Sequence, residues 1–317
     1  MKIVVLDGNT LNPGDNPWDE VAALGEFKVF DRTVPEKIVG RAAGADVVLT
    51  NKTPLAAETL AQLPDLKFIG VLATGYNIVD TKAARQRDIS VSNVPIYGTD
   101  AVAEFVFSLM LNFYRQPQMH SDLVKMGEWQ KAGDFCFWKT PLAELAGKTL
   151  GIVGLGRIGR RVGEIASAFK MKVLACNRSK TNPPPYPFEW REVPELFAES
   201  DVVSLHCNLT PENTKMVNKA LLSGMKKTAY LINTSRGPLV DEADLAAALK
   251  AGQLAGAALD VVSAEPIRDD NPLLGAPNVT LTPHIAWAAL EARKRLMKVT
   301  AENVAAFQAG APINVVN

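Results

Sequence analysis

The chain has 317 residues, more than one typical domain holds and enough for two. It is 47% hydrophobic and 21% charged, the balance of a globular enzyme and not of a disordered or fibrous chain. Lys plus Arg and Asp plus Glu both number 34, so the charge gives no reason to expect nucleic acid or an anionic membrane as partner. Cys136, Cys176 and Cys207 lie at scattered positions with no CxxC pair, which argues against a disulfide framework and a thiolate metal site. No metal is expected. The opening MKIVVLDGNT has four apolar residues before Asp7, too few for a signal peptide. No run reaches the ~18 apolar residues of a membrane span, so a cytoplasmic location is expected.

The first strand candidate is KIVVLD, Lys2 to Asp7, followed by ADVVLT, Ala45 to Thr50, and LKFIGVLA, Leu66 to Ala73. Each is short, rich in β-branched residues and bounded by turn residues. Segments between them, such as Pro54 to Leu63, are long enough for crossover helices. This alternation predicts a parallel sheet with right-handed connections. TDAVAEFVFSLMLNFYR, Thr99 to Arg115, then reads as a long helix, capped by Thr99 or Asp100 and apolar enough to be buried between layers.

A second series follows. TLGIVG (149–154), KVLAC (172–176), DVVSLHC (201–207), AYLINT (229–234), GAALDV (256–261) and VTLTPH (279–284) are six candidate strands. Helical patterns such as Glu242 to Leu249 separate most of them, and a last helix covers Ala288 to Phe307. Six parallel strands with a glycine turn after the first is the layout of a dinucleotide-binding sheet.

Gly154, Gly156 and Gly159 form that turn as G-x-G-x-x-G. The first glycine permits the tight bend, the second lets a phosphate approach the backbone, and the third lets helix and strand pack closely. Alone the triplet is a weak signal. Between a strand and a helix, in a chain of βα units, it points to a nicotinamide dinucleotide. About 20 positions on, where an acidic residue would grip the ribose hydroxyls of NAD, the sequence VLACNRSK offers Asn177, Arg178, Ser179 and Lys180. A carboxylate there would repel the 2′-phosphate of NADP, whereas Arg178 can fork onto it and Ser179 and Lys180 can add donors. The alternative is that the basic pair is solvated and Asn177 serves NAD through its amide. The charge favours NADP(H), with NAD(H) possible.

Histidine is scarce. His120 lies in a polar helical stretch, and His206 reads as structural beside Cys207. His284 ends the last strand in LTPHIAW, at the carboxyl edge where open α/β sheets bind ligands. Arg236, in NTSRGPLV, and Glu265, in LDVVSAEP, follow two other strands of the same series. A carboxylate partner holds a histidine in one tautomer and favours its protonated form, and an arginine can clamp a carboxylate with two donors. The bland reading of Arg236 is a structural pair with Asp241 or Glu242.

These landmarks resemble the D-isomer-specific 2-hydroxyacid dehydrogenase family. They are LATGYNIVD (72–80), VGLGRIG (153–159), LINTSRGPLVDE (231–242), LDVVSAEP (259–266) and TPHIAW (282–287), and they span essentially the whole chain. The TNK near the start, FCFW (135–138) and TPHIAWA (282–288) look most like its glycerate dehydrogenases, or hydroxypyruvate reductases. The resemblance implies an α/β fold of two Rossmann-like or flavodoxin-like domains with parallel sheets and a cleft between them. Residues 1–98 and 289–317 would form the substrate domain, and 99–288 the dinucleotide-binding domain.

The activity implied is hydride transfer between NAD(P)H and a small 2-keto acid, giving D-glycerate or glycolate. His284 would be the general acid, Glu265 its orienting partner, and Arg236 the clamp on the substrate carboxylate. Ala73, Thr74 and Gly75 would bind that carboxylate through backbone N–H groups. Gly154, Leu155, Gly156, Arg157, Ile158, Gly159, Asn177, Arg178 and Ser179 would hold the cofactor, with Thr99, Cys207 and Thr234 lining its cleft and Asp260 meeting the nicotinamide carboxamide. Lys52, Tyr76 and Trp138 are candidates for the substrate wall, each with an ordinary structural reading. Phe105 departs from the family, where His is common, and is expected to pack. The resemblance also suggests a homodimer. A dinucleotide-sensing corepressor-like protein and a dehydrogenase of another D-2-hydroxy acid, such as D-lactate, are the alternatives. The first has no need of the Arg, Glu and His set.

Overall fold

The structure is a computed structural model and describes residues 1–317. Its contacts divide the chain into two compact units, Met1–Gly98 with Ala288–Asn317, and Thr99–Trp287.

The smaller unit holds five strands: β1 (Lys2–Val5), β2 (Glu26–Val29), β3 (Val47–Thr50), β4 (Phe68–Val71) and β5 (Ser90–Ser92). They pair in the order β2-β1-β3-β4-β5, all parallel. This is the flavodoxin-like order. Every residue of β3 and β4 is buried, which is why both read as unbroken apolar runs. β2 and β5 are not among the strands expected from the sequence. β2 is a largely exposed edge strand, EFKV, and β5 is three residues, so neither carries an apolar pattern. The returning helix Leu290–Gln308 belongs to this unit for a physical reason. Phe307 stacks on Phe68 at 4.8 Å between ring centroids, and Arg293, 8% exposed, grips both carboxylate oxygens of Asp15 at 2.6 and 2.8 Å.

The larger unit holds seven strands: β6 (Thr149–Val153), β7 (Lys172–Cys176), β8 (Glu189–Trp190), β9 (Val202–Leu205), β10 (Tyr230–Asn233), β11 (Gly256–Leu259) and β12 (Val279–Leu281). The order is β12-β11-β10-β9-β6-β7-β8, again all parallel. This is the dinucleotide-binding order with one strand added at its β12 edge. Six of these strands are the ones expected from the sequence; the seventh, β8, is two residues long and forms no apolar run. Successive residues serve opposite faces. Leu231 and Val203 enter the core with Phe197 and Leu245, while Ile232 and Val202 enter the one with Met110 and Val162. The helix Thr99–Arg115 supplies Ala103, Val106, Phe107, Met110 and Tyr114 to the second core at helical spacing. Phe105 is partly buried and packs there.

Because all seven strands run the same way, their carboxyl ends share one edge. Gly154, His206, Thr234, Asp260 and Thr282 each follow directly on a strand and emerge together along it. No helix of the chain is long and apolar enough to cross a membrane.

Candidate active site

The glycine turn is built as the motif requires. Gly154 sits at φ +100°, a left-handed conformation open to glycine, and a Cβ there would strike the backbone of His206 and Cys207 at 2.5–2.8 Å. At Gly156 a Cβ would meet nothing within 4 Å, so the backbone faces open space. The helix Arg157–Ala168 starts from Gly156 with no side-chain cap, leaving its first N–H groups for a ligand. Thr234 Oγ1, at the end of β10, is buried and has no hydrogen-bond partner in the chain. An uncapped helix start beside a side-chain-free backbone, with an orphaned hydroxyl on the same edge, fits a dinucleotide pyrophosphate and its neighbouring groups. Leu155, Arg157, Ile158 and Gly159 lie in this turn or the first helical turn, and Thr99 opens the long helix.

At the end of β7 the side chain of Asn177 works inside the protein. Its Oδ1 accepts from Leu155 N at 3.2 Å and its Nδ2 donates to Ser179 O at 2.6 Å. Arg178 is exposed. Ser179 Oγ bonds Thr181 Oγ1 at 2.9 Å. Lys180, expected as a further donor to a phosphate, pairs instead with Glu192, Nζ to Oε1 at 3.3 Å. Glu192 went unnoticed in the sequence because β8, which brings it here, is so short. Arg160 pins the same loop by donating to the carbonyls of Thr181 and Asn182.

His284 and Glu265 meet. Nδ1 of His284 lies 2.7 Å from Glu265 Oε2, with side chains 28% and 36% exposed. The pair fixes the ring and leaves Nε2 for other work. His284 sits at φ +56°, rare for a residue with a Cβ, so the surroundings must impose it. They do so through Asp260, which is 1% exposed. Its backbone carbonyl accepts from His284 N at 2.8 Å. Its carboxylate accepts from Thr282 Oγ1 at 2.6 Å and from the N–H groups of Ile285 and Ala286, both at 2.8 Å. These bonds make Asp260 the anchor of the His284 loop. Only a tertiary arrangement could show this, since Asp260 lies 24 positions before His284.

Arg236 follows β10 on the next turn of the edge. Its NH1 donates to Ser235 O at 2.7 Å and pairs with no carboxylate. Asp241 caps its own helix and meets Lys215, while Glu242 binds Ser263 and Asn271, so neither holds Arg236. Gly237 lets this turn lie directly against the Glu265 loop: a Cβ there would collide with the backbone of Val262 and Ser263.

The remaining candidates have the following surroundings, each within its own unit. His120 bonds Gln116 O and receives Lys139 N, a structural role. His206 shares a 2.8 Å bond with Ser204 Oγ, and burial lowers its pKa to about 4, which keeps it neutral near pH 7. Burial also raises the thiols of Cys176 and Cys207, which speaks against either as a nucleophile. Of three histidines, His284 is the one partnered by a carboxylate. In the smaller unit, Ala73, Thr74 and Gly75 follow β4, and Thr74 is held through Oγ1 to Val94 O and through its carbonyl by Asn93. Asp7 accepts from the N–H groups of Asn51 and Thr53, each at 2.7 Å, and so shapes the loop that carries Lys52. Tyr76 and Trp138 are 40% and 63% exposed.

The family model described as D-isomer specific 2-hydroxyacid dehydrogenase, NAD binding domain, matches residues 107–286. A hydroxypyruvate reductase of Blautia hydrogenotrophica is 49% identical over the full length of both chains. A glycerate dehydrogenase of Methylorubrum extorquens is 42% identical, covering 99% of this chain and 98% of that one. Among solved structures, an acyclic imino acid reductase in complex with NADPH and D-Arg superposes with a TM-score of 0.85 at 34% identity, each chain fully covered. With an uncapped glycine turn that suits a nicotinamide dinucleotide and a carboxylate-paired histidine on one sheet edge, the chain belongs to the D-isomer-specific 2-hydroxyacid dehydrogenases, NAD(P)-dependent oxidoreductases.

Proposed function

We propose that the chain is a hydroxypyruvate reductase of the glycerate dehydrogenase type, acting on hydroxypyruvate and glyoxylate with NADPH in preference to NADH. The observation that carries the mechanism is the 2.7 Å pair of His284 and Glu265 on the sheet edge that also presents Arg236. The names of the two relatives support the substrate class. The turn Gly154 to Gly159 and the start of its helix hold the pyrophosphate, and Thr99, Cys207 and Thr234 line the rest of the cofactor site. The dinucleotide, when bound, supplies a hydride for the carbonyl carbon. Glu265 keeps His284 oriented through Nδ1. His284 gives its Nε2 proton to the carbonyl oxygen, and takes it back in the reverse reaction. Arg236 holds the substrate carboxylate with two parallel donors. In the smaller unit, the N–H groups of Ala73, Thr74 and Gly75 serve a carboxylate in the same way.

Mixing the protein with hydroxypyruvate and each reduced cofactor, and following absorbance at about 340 nm, tests this reading. Consumption of NADPH is expected. Dinucleotide binding without turnover of any 2-keto acid would point to a binding protein instead. The cofactor preference rests on the missing carboxylate at Asn177 and the exposed Arg178. The double variant Asn177→Asp, Arg178→Ala is expected to shift kcat/KM toward NADH. Tenfold preference for NADH in the wild type, about 1.4 kcal/mol, would remove the phosphate site.

A homodimer goes with this reading. Met126, Trp129, Phe135, Trp138 and Leu142, all between 45% and 83% exposed, lie within residues 126–142 of the larger unit and are large apolar side chains that a second copy would cover. Sedimentation equilibrium should give twice the chain mass of 34.2 kDa, and a monomer at micromolar concentration would dismiss it. The three free cysteines suit a reducing compartment such as the cytoplasm.

A further inference from the structure

The end of β7 lacks its own carboxylate, but the structure brings one to it from the neighbouring strand. β8 pairs with β7 in parallel, Leu174 opposite Glu189 and Ala175 opposite Trp190. Arg191 N continues the ladder onto Ala175 O at 3.0 Å. Glu192 is the next residue after Arg191, at the end of β7 that carries Asn177 and Lys180. It is an exposed carboxylate, and it holds the Nζ of Lys180 at 3.3 Å. Asn177, meanwhile, spends both ends of its amide on Leu155 and Ser179 and has fixed the start of the loop that carries Lys180.

We propose that Glu192 is a specificity-determining residue of the cofactor site: it holds Lys180 when no 2′-phosphate is present and competes with that phosphate for the lysine when one arrives. The proposal rests on the reading that Arg178 and Lys180 face the 2′ position of the adenosine ribose. An ion pair this exposed is weak, because water and salt screen it, so Lys180 is released at little cost. The carboxylate itself then remains near a dianion and opposes it. Glu192 thereby restrains the preference for NADPH that Asn177 and Arg178 create.

A second observation places the same charges at this strand end. The Cys176 thiol is raised first by burial, then by Glu192, and is lowered by Lys180. On the far side of the glycine turn, Glu212 is lowered first by the Thr210 hydroxyl and also by Arg178. Each basic residue of the pair thus has an acid within its field, and in the case of Lys180 the two are in contact.

The experiment uses the full chain and two probes, adenosine 2′,5′-bisphosphate and 5′-AMP, titrated by calorimetry. Glu192→Gln is expected to bind the bisphosphate about 3- to 10-fold more tightly, as removal of one charge near a dianion in high dielectric implies, with 5′-AMP unchanged. In a Lys180→Ala background, Glu192→Gln should have a smaller effect, since the competition for the lysine is gone. Glu192 also precedes the helix Val193–Glu199, so Glu192→Asp serves as the folding control and should behave as wild type. Bisphosphate affinity unmoved by Glu192→Gln, or both probes tightened equally, would overturn the proposal. A loss of 5′-AMP or NADH affinity alone would overturn it too, by showing that Glu192 serves the free hydroxyl. A wild type that binds the two probes equally would instead overturn the NADPH reading, and the ratio of variant to wild type would still decide on Glu192.

Discussion

The His284→Ala protein is expected to lose roughly 10²- to 10⁴-fold in kcat for 2-keto acid reduction, the range that a positioned general acid contributes. Reduced-cofactor affinity should stay at the wild-type level, because His284 lies on the loop after β12 while the glycine turn follows β6. Alanine suits the test for a second reason. His284 occupies φ +56° with a Cβ already present, so alanine adds no new clash at the backbone. It also leaves the bonds from His284 N to Asp260 and the bonds of Ile285 and Ala286 in place, so the loop should survive. Steady-state kinetics together with fluorescence titration of NADPH checks both halves. A variant that keeps most of its turnover removes His284 from the chemistry, whatever its pairing with Glu265.

Arg236→Lys is expected to lower kcat/KM by roughly 10- to 100-fold, the worth of one charge-assisted hydrogen bond at about 1.5–3 kcal/mol. KM should rise and kcat should fall together. An ammonium keeps the charge but loses the planar fork that fixes a carboxylate in one orientation, so both capture and alignment suffer. The structural reading of Arg236 predicts something else. Were the residue a brace, its replacement would lower the melting temperature and leave the kinetics alone. The bonds observed already weigh against a brace, since the guanidinium contacts one carbonyl next door and no acid. A kinetic series over hydroxypyruvate, glyoxylate and pyruvate, with a melting curve beside it, separates the two.

Much of this site could be read in the sequence because its parts sit at strand ends. β6, β9, β10 and β11 are buried on both faces, so they stand out as apolar runs, and the residue after each run is a candidate by position alone. That logic singled out Arg236 and Glu265 in the loops after β10 and β11, and the same position at the end of the last strand singled out His284. It failed where the local pattern is faint. β2, β5 and β8 are an exposed edge strand, a three-residue strand and a two-residue strand. Without β8 the Glu192–Lys180 pair is invisible, since Glu192 reaches Lys180 through that strand. It also failed where a residue acts on another far along the chain. Nothing in LDVVSAEP announces that Asp260 will collect three donors from 282–286, or that Gly237 must be bare so that two loops can touch.

The anchoring of the His284 loop has a meaning in entropy. Ordering a backbone residue costs about 1–2 kcal/mol at room temperature. The loop from Thr282 to Ala286 contains no strand or helix, so an untethered version would meet that cost again each time His284 had to find its place. Asp260 is buried at the end of β11, and its four bonds freeze the loop as part of the folded sheet. The disorder of the His284 loop is therefore surrendered once, when the chain folds, and in the proposed mechanism substrate binding energy is left for the substrate.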